Sequence, residues 1–342
     1  MVTLFYFTYF CYHFKNMINS NSIFNIKTKA EFEALALKVF EFQFKNNRVY
    51  RSFCDLLYTH PSDVKAVEDI PFLPIEFFKT RKVVCNTKNT TTLFTSSGTT
   101  GSVTSKHYVT DIDVYKTSFQ HGFTKFYGPI EAYTILALLP SYLEREGSSL
   151  VYMVNDLIAQ SKSPDSGFYL DNLSTLKSTL LRLEAEGKNT LLIGVSFALL
   201  DLIEFEKFEL KHTIIMETGG MKGRRQELIR AELHYKLKKG FGVNHIHSEY
   251  GMTELLSQAY SKGNGIFECQ PWMRVLTRDT EDPLTLQNPG KAGGINVIDL
   301  ANINSCAFIA TQDLGRVHAD DSFEIIGRFD NSDIRGCNLM VL

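Results

Sequence analysis

The sequence predicts an α/β protein in which parallel strands are joined by helical crossovers and a small β region completes the fold. The first observation is alternation. Strand-like apolar runs alternate with helical patterns through the middle of the 342-residue chain: Tyr133 to Leu139, then Leu191 to Val195 followed by Ser196 to Phe205, then Thr213 to Met216 followed by Arg224 to Lys239. That order is the mark of parallel strands with helical crossovers. The second is punctuation: glycine or proline stands at several strand ends, as in Leu139-Pro140 and Thr218-Gly219-Gly220, and open α/β sheets bind ligands beyond the carboxyl ends of their strands. The third is the change to short β-like pieces, Ala307 to Thr311 and Ser322 to Ile326, near the end.

Before this core, apolar residues recur at helical intervals from Lys29 to Lys45 (Phe32, Leu35, Ala36, Val39, Phe40), so this stretch reads as an amphipathic helix whose role is packing. The segment Ile70-Pro-Phe-Leu-Pro-Ile-Glu-Phe-Phe-Lys79 carries two prolines, which argue for an extended apolar connection. Residues 1–16 form a strongly aromatic extension, too short to span a bilayer and without the basic leader or cleavage site of a signal peptide. Met17 opens a more ordinary sequence, so the expectation is a natural start there and one domain over 17–342.

Composition narrows the function. Hydrophobic residues make up 44% and charged residues 22% of the chain, as in an ordinary globular protein, and the formal charge of -2 gives no bulk attraction to nucleic acid or anionic lipid. A small ligand is the better expectation. Cys11, Cys54, Cys85, Cys269, Cys306 and Cys337 form no Cys-x-x-Cys pair, which fits reduced thiols in a cytoplasmic protein. His245 and His247, two apart, would share one face of a strand, but no further histidine or cysteine is grouped with them, so they read as hydrogen-bonded or site-lining residues rather than zinc ligands. The basic stretches Lys222 to Arg225 and Lys236 to Lys239 read as the solvated side and ends of a helix.

Two segments carry chemistry. In Phe94-Thr-Ser-Ser-Gly-Thr-Thr-Gly-Ser-Val-Thr-Ser-Lys106, glycines let backbone N–H groups approach an anion, hydroxyls add donors and the lysine adds charge. This is phosphate-cradling chemistry without the Walker spacing, and bare composition describes a surface turn equally well. In Ser248-Glu-Tyr-Gly-Met-Thr-Glu254, expected in a turn after a strand at Val243 to Ile246, tyrosine can stack on a base, threonine can donate to a phosphate, and a carboxylate suits Mg²⁺. Alone, Thr253 and Glu254 would merely cap a helix over Leu255 to Tyr260.

Two more segments follow in order, Thr311-Gln-Asp-Leu-Gly-Arg316 and Gly327-Arg-Phe-Asp-Asn-Ser-Asp-Ile-Arg-Gly336. Together the four resemble the ordered core motifs of the adenylate-forming enzymes. Within that superfamily the chain is most similar to the LuxE-type acyl-protein synthetases, including at Pro71 to Lys79 and at Arg335-Gly-Cys-Asn-Leu-Met340. The resemblance implies the large N-terminal-type domain of these enzymes, with parallel sheets flanked by helices, without the usual C-terminal lid domain and its lysine. It implies that Thr95, Ser96, Ser97, Gly98, Thr99, Thr100 and Gly101 with Lys106 hold the ATP phosphates. It places Tyr250 against adenine, Gly251 at the cofactor, Thr253 on the α-phosphate, Glu254 on Mg²⁺, and Asp313 and Arg328 at the ribose; Gly219 and Gly220 line the adenine pocket or simply make a turn.

The activity implied is ligation: a long-chain fatty acid is activated as acyl-AMP and passed to Cys337, the acyl-accepting thiol of the family pattern. A reductase, carrier protein or CoA would take the acyl group onward. The rival readings are an acyl- or aryl-CoA ligase or carrier-protein acylating enzyme, and a non-catalytic acyl- or nucleotide-binding relative. Neither a membrane span nor a nucleic-acid partner is expected.

Overall fold

A computed structural model describes residues 20–85, 89–97, 103–140, 147–219 and 228–329. Gly98, Thr99, Thr100, Gly101, Gly220, Lys222 to Arg225, Cys11, Cys337 and residues 1–16 lie outside them.

The chain enters through the helix Lys29–Asn46, started by a capping box in which Thr28 and Glu31 satisfy each other's backbone N–H groups. The face bearing Phe32, Ala36, Val39, Phe40 and Phe44 is buried, as the periodicity requires. Gln43, in the same stripe and fully buried, donates to the carbonyls of Asn302 and Ile303 at 3.0 and 2.9 Å and accepts from the N–H of Ala307 at 2.9 Å. Asn47 caps the next helix, Arg48–Leu56, and reaches the carbonyl of Ser305 at 2.9 Å.

The proline segment becomes β1 (Leu73–Pro74), followed by one helical turn, Phe77–Thr80. The strands β2 (Thr92–Thr95) and β3 (Lys106–Val109) pair antiparallel, with Thr95 opposite Lys106. Next come the helix Ile112–Tyr127, β4 (Thr134–Leu138), the helix Ser149–Ser161, β5 (Gly167–Phe168), and the helix Leu173–Ala185. Then follow β6 (Thr190–Gly194), the helix Ser196–Phe205, β7 (Thr213–Thr218), the helix Arg230–Phe241 and β8 (His247–Tyr250). β9 (Ala259–Ser261) completes a sheet ordered β5-β4-β6-β7-β8-β9, parallel except for β9. The predicted parallel sheet with helical crossovers is thus present. β4 and β6 are buried on every residue, as strands covered on both faces must be.

The second sheet is formed by β10 (Ile266–Phe267), β11 (Met273–Arg278), β12 (Ala292–Asp299), β13 (Phe308–Val317) and β14 (Phe323–Arg328), with β1 alongside β13. The sequence predicts only a small β region here, yet this sheet has six strands, as many as the first. The physical reason is partnership at a distance: β1 joins in parallel from some 235 residues away, a pairing that leaves no local pattern.

The Ser248-to-Glu254 segment also differs from expectation. β8 begins at His247, so Ser248, Glu249 and Tyr250 lie on the strand and only Gly251 onward forms the turn. No helix follows over Leu255 to Tyr260: the N–H groups of Leu256 and Ser257 are taken by the carboxylate of Asp299 at 2.7 and 3.0 Å, and β9 begins at Ala259. His245 precedes the strand, so it and His247 are not a same-face strand pair. Lys236 pairs with Glu232 on the helix surface and Lys239 lies over the Tyr235 ring, in line with a solvated helix side.

Candidate active site

The carboxyl edge of the parallel sheet gathers the marked residues. β7 ends at Thr218 and is followed by the exposed Gly219, whose φ of +70° suits glycine. Ser196, the first residue of its helix, donates to the carbonyl of Gly219 at 2.7 Å. On the neighbouring strand, Tyr250 is buried and packs edge-on against Phe267 and Phe323, at 5.9 and 5.5 Å between centroids. Its hydroxyl donates to Asp313 Oδ2 at 2.8 Å, joining the two sheets. Arg328, opposite Asp313 in the β13–β14 register, sets its Nε 3.4 Å from Asp313 Oδ1 and is itself 70% exposed. Burial raises the Asp313 carboxyl above its usual range, and Arg328 acts against that rise.

The hydroxyl-rich segment reaches the same place from the β2–β3 hairpin. The Thr95 N–H donates to the carbonyl of Gly147 at 2.8 Å. Ser96 Oγ accepts from the N–H of Ser105 at 2.9 Å, and Ser96 N–H donates back to the Ser105 carbonyl at 3.1 Å. Ser105, held by this pair of bonds, is buried beside Glu254 and favours its ionised form. Ser97 and Lys106 are exposed beside it. Glu254 is 5% exposed and burial raises its pKa; Ser105 opposes the rise, with Arg328 and Lys79 contributing positive charge.

The turn bearing Thr253 and Glu254 is braced from behind. His107 lies with Nδ1 2.8 Å from the Thr253 carbonyl and Nε2 3.0 Å from Asn302 Oδ1, while Asn302 Nδ2 donates to the Glu254 carbonyl at 2.7 Å. Burial pushes the His107 pKa down to about 4, while the acceptors at both ring nitrogens pull it the other way. Asp299 takes the hydroxyl of Ser257 and three backbone N–H groups, from Leu256, Ser257 and Ala301. None of these braces carries a sequence signal. Ser105 sits within the hydroxyl run but looks like its neighbours, and Asn302 and Asp299 lie outside every motif.

On the other side of β8, Thr218 Oγ1 donates to Glu249 Oε2 at 2.5 Å. Burial, with Glu217 adding like charge, pushes the Glu249 carboxyl up to about 7. Glu217 Oε1 faces Arg230 and His234, at 3.8 and 3.6 Å. His247 meets the Tyr127 hydroxyl at 3.2 Å, and burial with nearby Lys262 lowers its pKa to about 4. Among the described residues, no group of three or more His, Cys, Asp or Glu side chains forms a metal cage, and no helix is long and apolar enough to cross a membrane.

With this geometry in view, the comparisons with known proteins are specific. The family model "Acyl-protein synthetase, LuxE" matches residues 17–342. The fold itself is that of the adenylate-forming enzymes. Solved structures that resemble it include ATP-bound MatB from Rhodopseudomonas palustris, 18% identical, with a TM-score of 0.52 over 69% of this chain. They also include 2-hydroxyisobutyryl-CoA ligase in an open conformation with 2-HIB-AMP and CoA, 11% identical, with a TM-score of 0.66 over 90% of this chain and 72% of the ligase. The chain spans about half, 47%, of the length of MatB. No curated protein matches it in sequence. The chain belongs to the LuxE acyl-protein synthetase family.

Proposed function

We propose that this protein uses ATP to activate a carboxylic acid as an acyl-adenylate and passes the acyl group to a thiol, with Cys337 as the acceptor. The observation that carries the reading is that the β2–β3 hairpin, through His107, is bonded to the turn of Thr253 and Glu254, beside the Tyr250–Asp313 pair, at the carboxyl edge of the parallel sheet. That edge is where α/β sheets bind nucleotides.

In the first half-reaction a carboxylate oxygen attacks the α-phosphorus, and the bond to pyrophosphate breaks. Both reactants are anionic, so the protein's task is to bring negative charge together and stabilise what develops at phosphorus. The hydroxyls of Thr95, Ser96 and Ser97 and the segment continuing through Gly98, Thr99, Thr100 and Gly101 hold the phosphates with Lys106; the Thr95 and Ser96 N–H groups are already committed to Gly147 and Ser105. Thr253 donates to the α-phosphate. Tyr250 and Gly251 flank adenine with Gly219 and Gly220, and Asp313 accepts from the ribose hydroxyls with Arg328 beside it. Glu254 fits Mg²⁺: it is a carboxyl group held largely out of water, and a hard cation takes oxygen ligands from one carboxylate plus phosphates. When bound, the ion supplies charge neutralisation at the phosphates.

In the second half-reaction the Cys337 thiolate attacks the acyl carbonyl, the thioester forms and AMP leaves. Acid–base chemistry sets aside three of the described thiols, because burial raises Cys54 and Cys85 to about 12 and Cys306 further still, while Cys269 is half-buried. None of these three is a ready thiolate near neutral pH. The family pattern supports a long-chain acyl group, passed on to a reductase, a carrier protein or CoA.

Incubating the protein with ATP, Mg²⁺ and labelled acids tests the division of labour. The expected result is acid-dependent ATP–pyrophosphate exchange and a hydroxylamine-sensitive acyl mass. Cys337→Ala keeps the exchange and loses the acyl mass. An acyl mass that persists in this variant removes Cys337 as acceptor, and silence across a broad acid panel ends the enzyme reading.

A further inference from the structure

The segment Pro71 to Lys79 shares in the family resemblance, yet neither half-reaction engages it. Its path is fixed on two sides. Leu73 and Pro74 pair with Ile309 and Ala310 of β13, and the Ile75 N–H donates to the Ala310 carbonyl at 3.0 Å. Glu76 Oε1 accepts from Gln312 Nε2 at 2.6 Å, next to Asp313 in the chain. Phe78 is fully buried and stands edge-on to the His107 ring, 5.7 Å between centroids. That ring holds the Thr253 carbonyl. The helical turn Phe77–Thr80 is therefore docked by Glu76 on the strand of Asp313 and by Phe78 on the support of the Thr253–Glu254 turn. We propose that Lys79 is a further nucleotide-binding residue, whose ammonium group pairs with the phosphates of ATP beside Glu254. This deepens the adenylation reading and rests on it.

Residues three apart on a helical turn share a side, so Lys79 falls on the side of Glu76, while Phe78 turns into the core. Lys79 is exposed and makes no ion pair among the described residues. Its charge reaches Glu254: Lys79 and Arg328 are the two cations that favour the ionised form of that carboxyl against its burial. Arg328 Nε is set 3.4 Å from Asp313 Oδ1, so of the two only Lys79 has no carboxylate of its own.

Phe78 and Glu76 already fasten the turn, so packing does not call for a cation at 79. An exposed lysine that shares a cleft with a carboxyl group, without pairing to it, gains little while water screens both. A polyanion changes this, because an ammonium on a phosphate oxygen makes a charge-assisted hydrogen bond, roughly twice as strong as a neutral one. Lys82 is the contrast on the same segment: its Nζ lies over the Tyr108 ring at 5.1 Å.

The test measures equilibrium binding of ATP with Mg²⁺, and of adenosine, to the full chain, beside ATP–pyrophosphate exchange. Wild type, Lys79→Met, Lys79→Arg and Lys82→Met are compared. In Lys79→Met the expected result is ATP bound about tenfold more weakly, as for one lost contact to a charged group, with adenosine affinity unchanged and the KM for ATP raised to match. Lys79→Arg recovers most of the loss, and Lys82→Met binds both ligands as wild type does. The side chain is exposed, so truncation leaves the core alone, and adenosine binding reports an intact fold. Equal ATP affinity in wild type and Lys79→Met overturns the inference while leaving adenylation standing. An equal loss in Lys82→Met, which marks a bulk charge effect, or a parallel loss of adenosine binding, which marks a structural role, does the same. A wild type that binds no ATP overturns both.

Discussion

Arg278 and Glu249 are both ionisable groups taken out of water, and the two sheets that hold them treat them in opposite ways. Arg278, on β11 of the antiparallel sheet, donates to the carbonyls of Ile295 and Thr311 at 2.7 and 2.6 Å and to Asn296 Oδ1 at 2.9 Å. Its bed is cut to fit: a Cβ on Gly294 would stand 2.6 Å from the guanidinium carbon, and one on Gly293 only 2.2 Å from the Arg278 carbonyl oxygen. Glu249, on the parallel sheet, receives one hydroxyl from Thr218. A buried charge with its hydrogen bonds filled holds a fold together, because its removal strands several partners. One left underfilled keeps lone pairs free to accept a further hydrogen bond. The comparison teaches that burial alone does not separate structure from function; the count of partners does.

The comparison breaks or sharpens on four measurements. The largest effect is expected for Glu254→Ala, another underfilled acid: pyrophosphate exchange falls by about 10²–10³-fold, the usual cost of removing a group that stabilises transition-state charge. Its melting temperature stays level or rises, since a desolvated carboxylate is lost. A variant that unfolds instead would move Glu254 to the structural class.

Arg278→Leu is the reciprocal case. Three acceptors lose a charged donor, so urea denaturation should show a loss of about 3 kcal/mol, with exchange per folded molecule little changed. A stable but inactive variant would reverse the assignment.

Glu249→Gln separates the two classes by pH. Glu249 titrates near 7 in the fold and near its usual 4.5 when unfolded. Between those values the unfolded chain has released a proton that the folded chain keeps, so this group makes stability fall as pH rises from 4.5 to 7 and leaves it reduced above. The variant should therefore gain on wild type across that window, by up to about 2–3 kcal/mol. His107 and His247, depressed to about 4, act with the opposite sign between 4 and 6.5. They are common to both proteins and cancel in the difference, so a flat difference across pH would refute the burial effect on Glu249.

Gly294→Ala carries the smallest effect, about 1–3 kcal/mol of overpacking against the guanidinium. Chemical denaturation of this variant beside Arg278→Leu should show that the two losses do not add.

How much of this the sequence discloses depends on the range of the interaction. Crossover helices and strands such as β4, β6 and β7 announce themselves through local periodicity, and Tyr250, Asp313 and Arg328 through motif order. The register of β8 is less legible, because His247 to Tyr250 is polar while Val243 to Ile246 looks more strand-like. What decides it is the pairing of Met216 with His247 and of Tyr250 with Ala259. The helix expected over Leu255 to Tyr260 fails for a similar reason: Asp299, some 40 residues on, takes the N–H groups that start such a turn. Ser105, His107 and Asn302 brace the site through bonds that no spacing reveals.

Gln43 and Asn47 carry a consequence for how the molecule is made. The acceptors and donor they need, between Asn302 and Ala307, are synthesised about 260 residues later. Loop-closure entropy and slow long-range pairing then set the order of events. The first long helix can form early on the ribosome, but it stays undocked until nearly the whole chain has emerged. The segment that braces Glu254 is fastened by the same clasp, so nascent chains short of that point hold an unfinished candidate site.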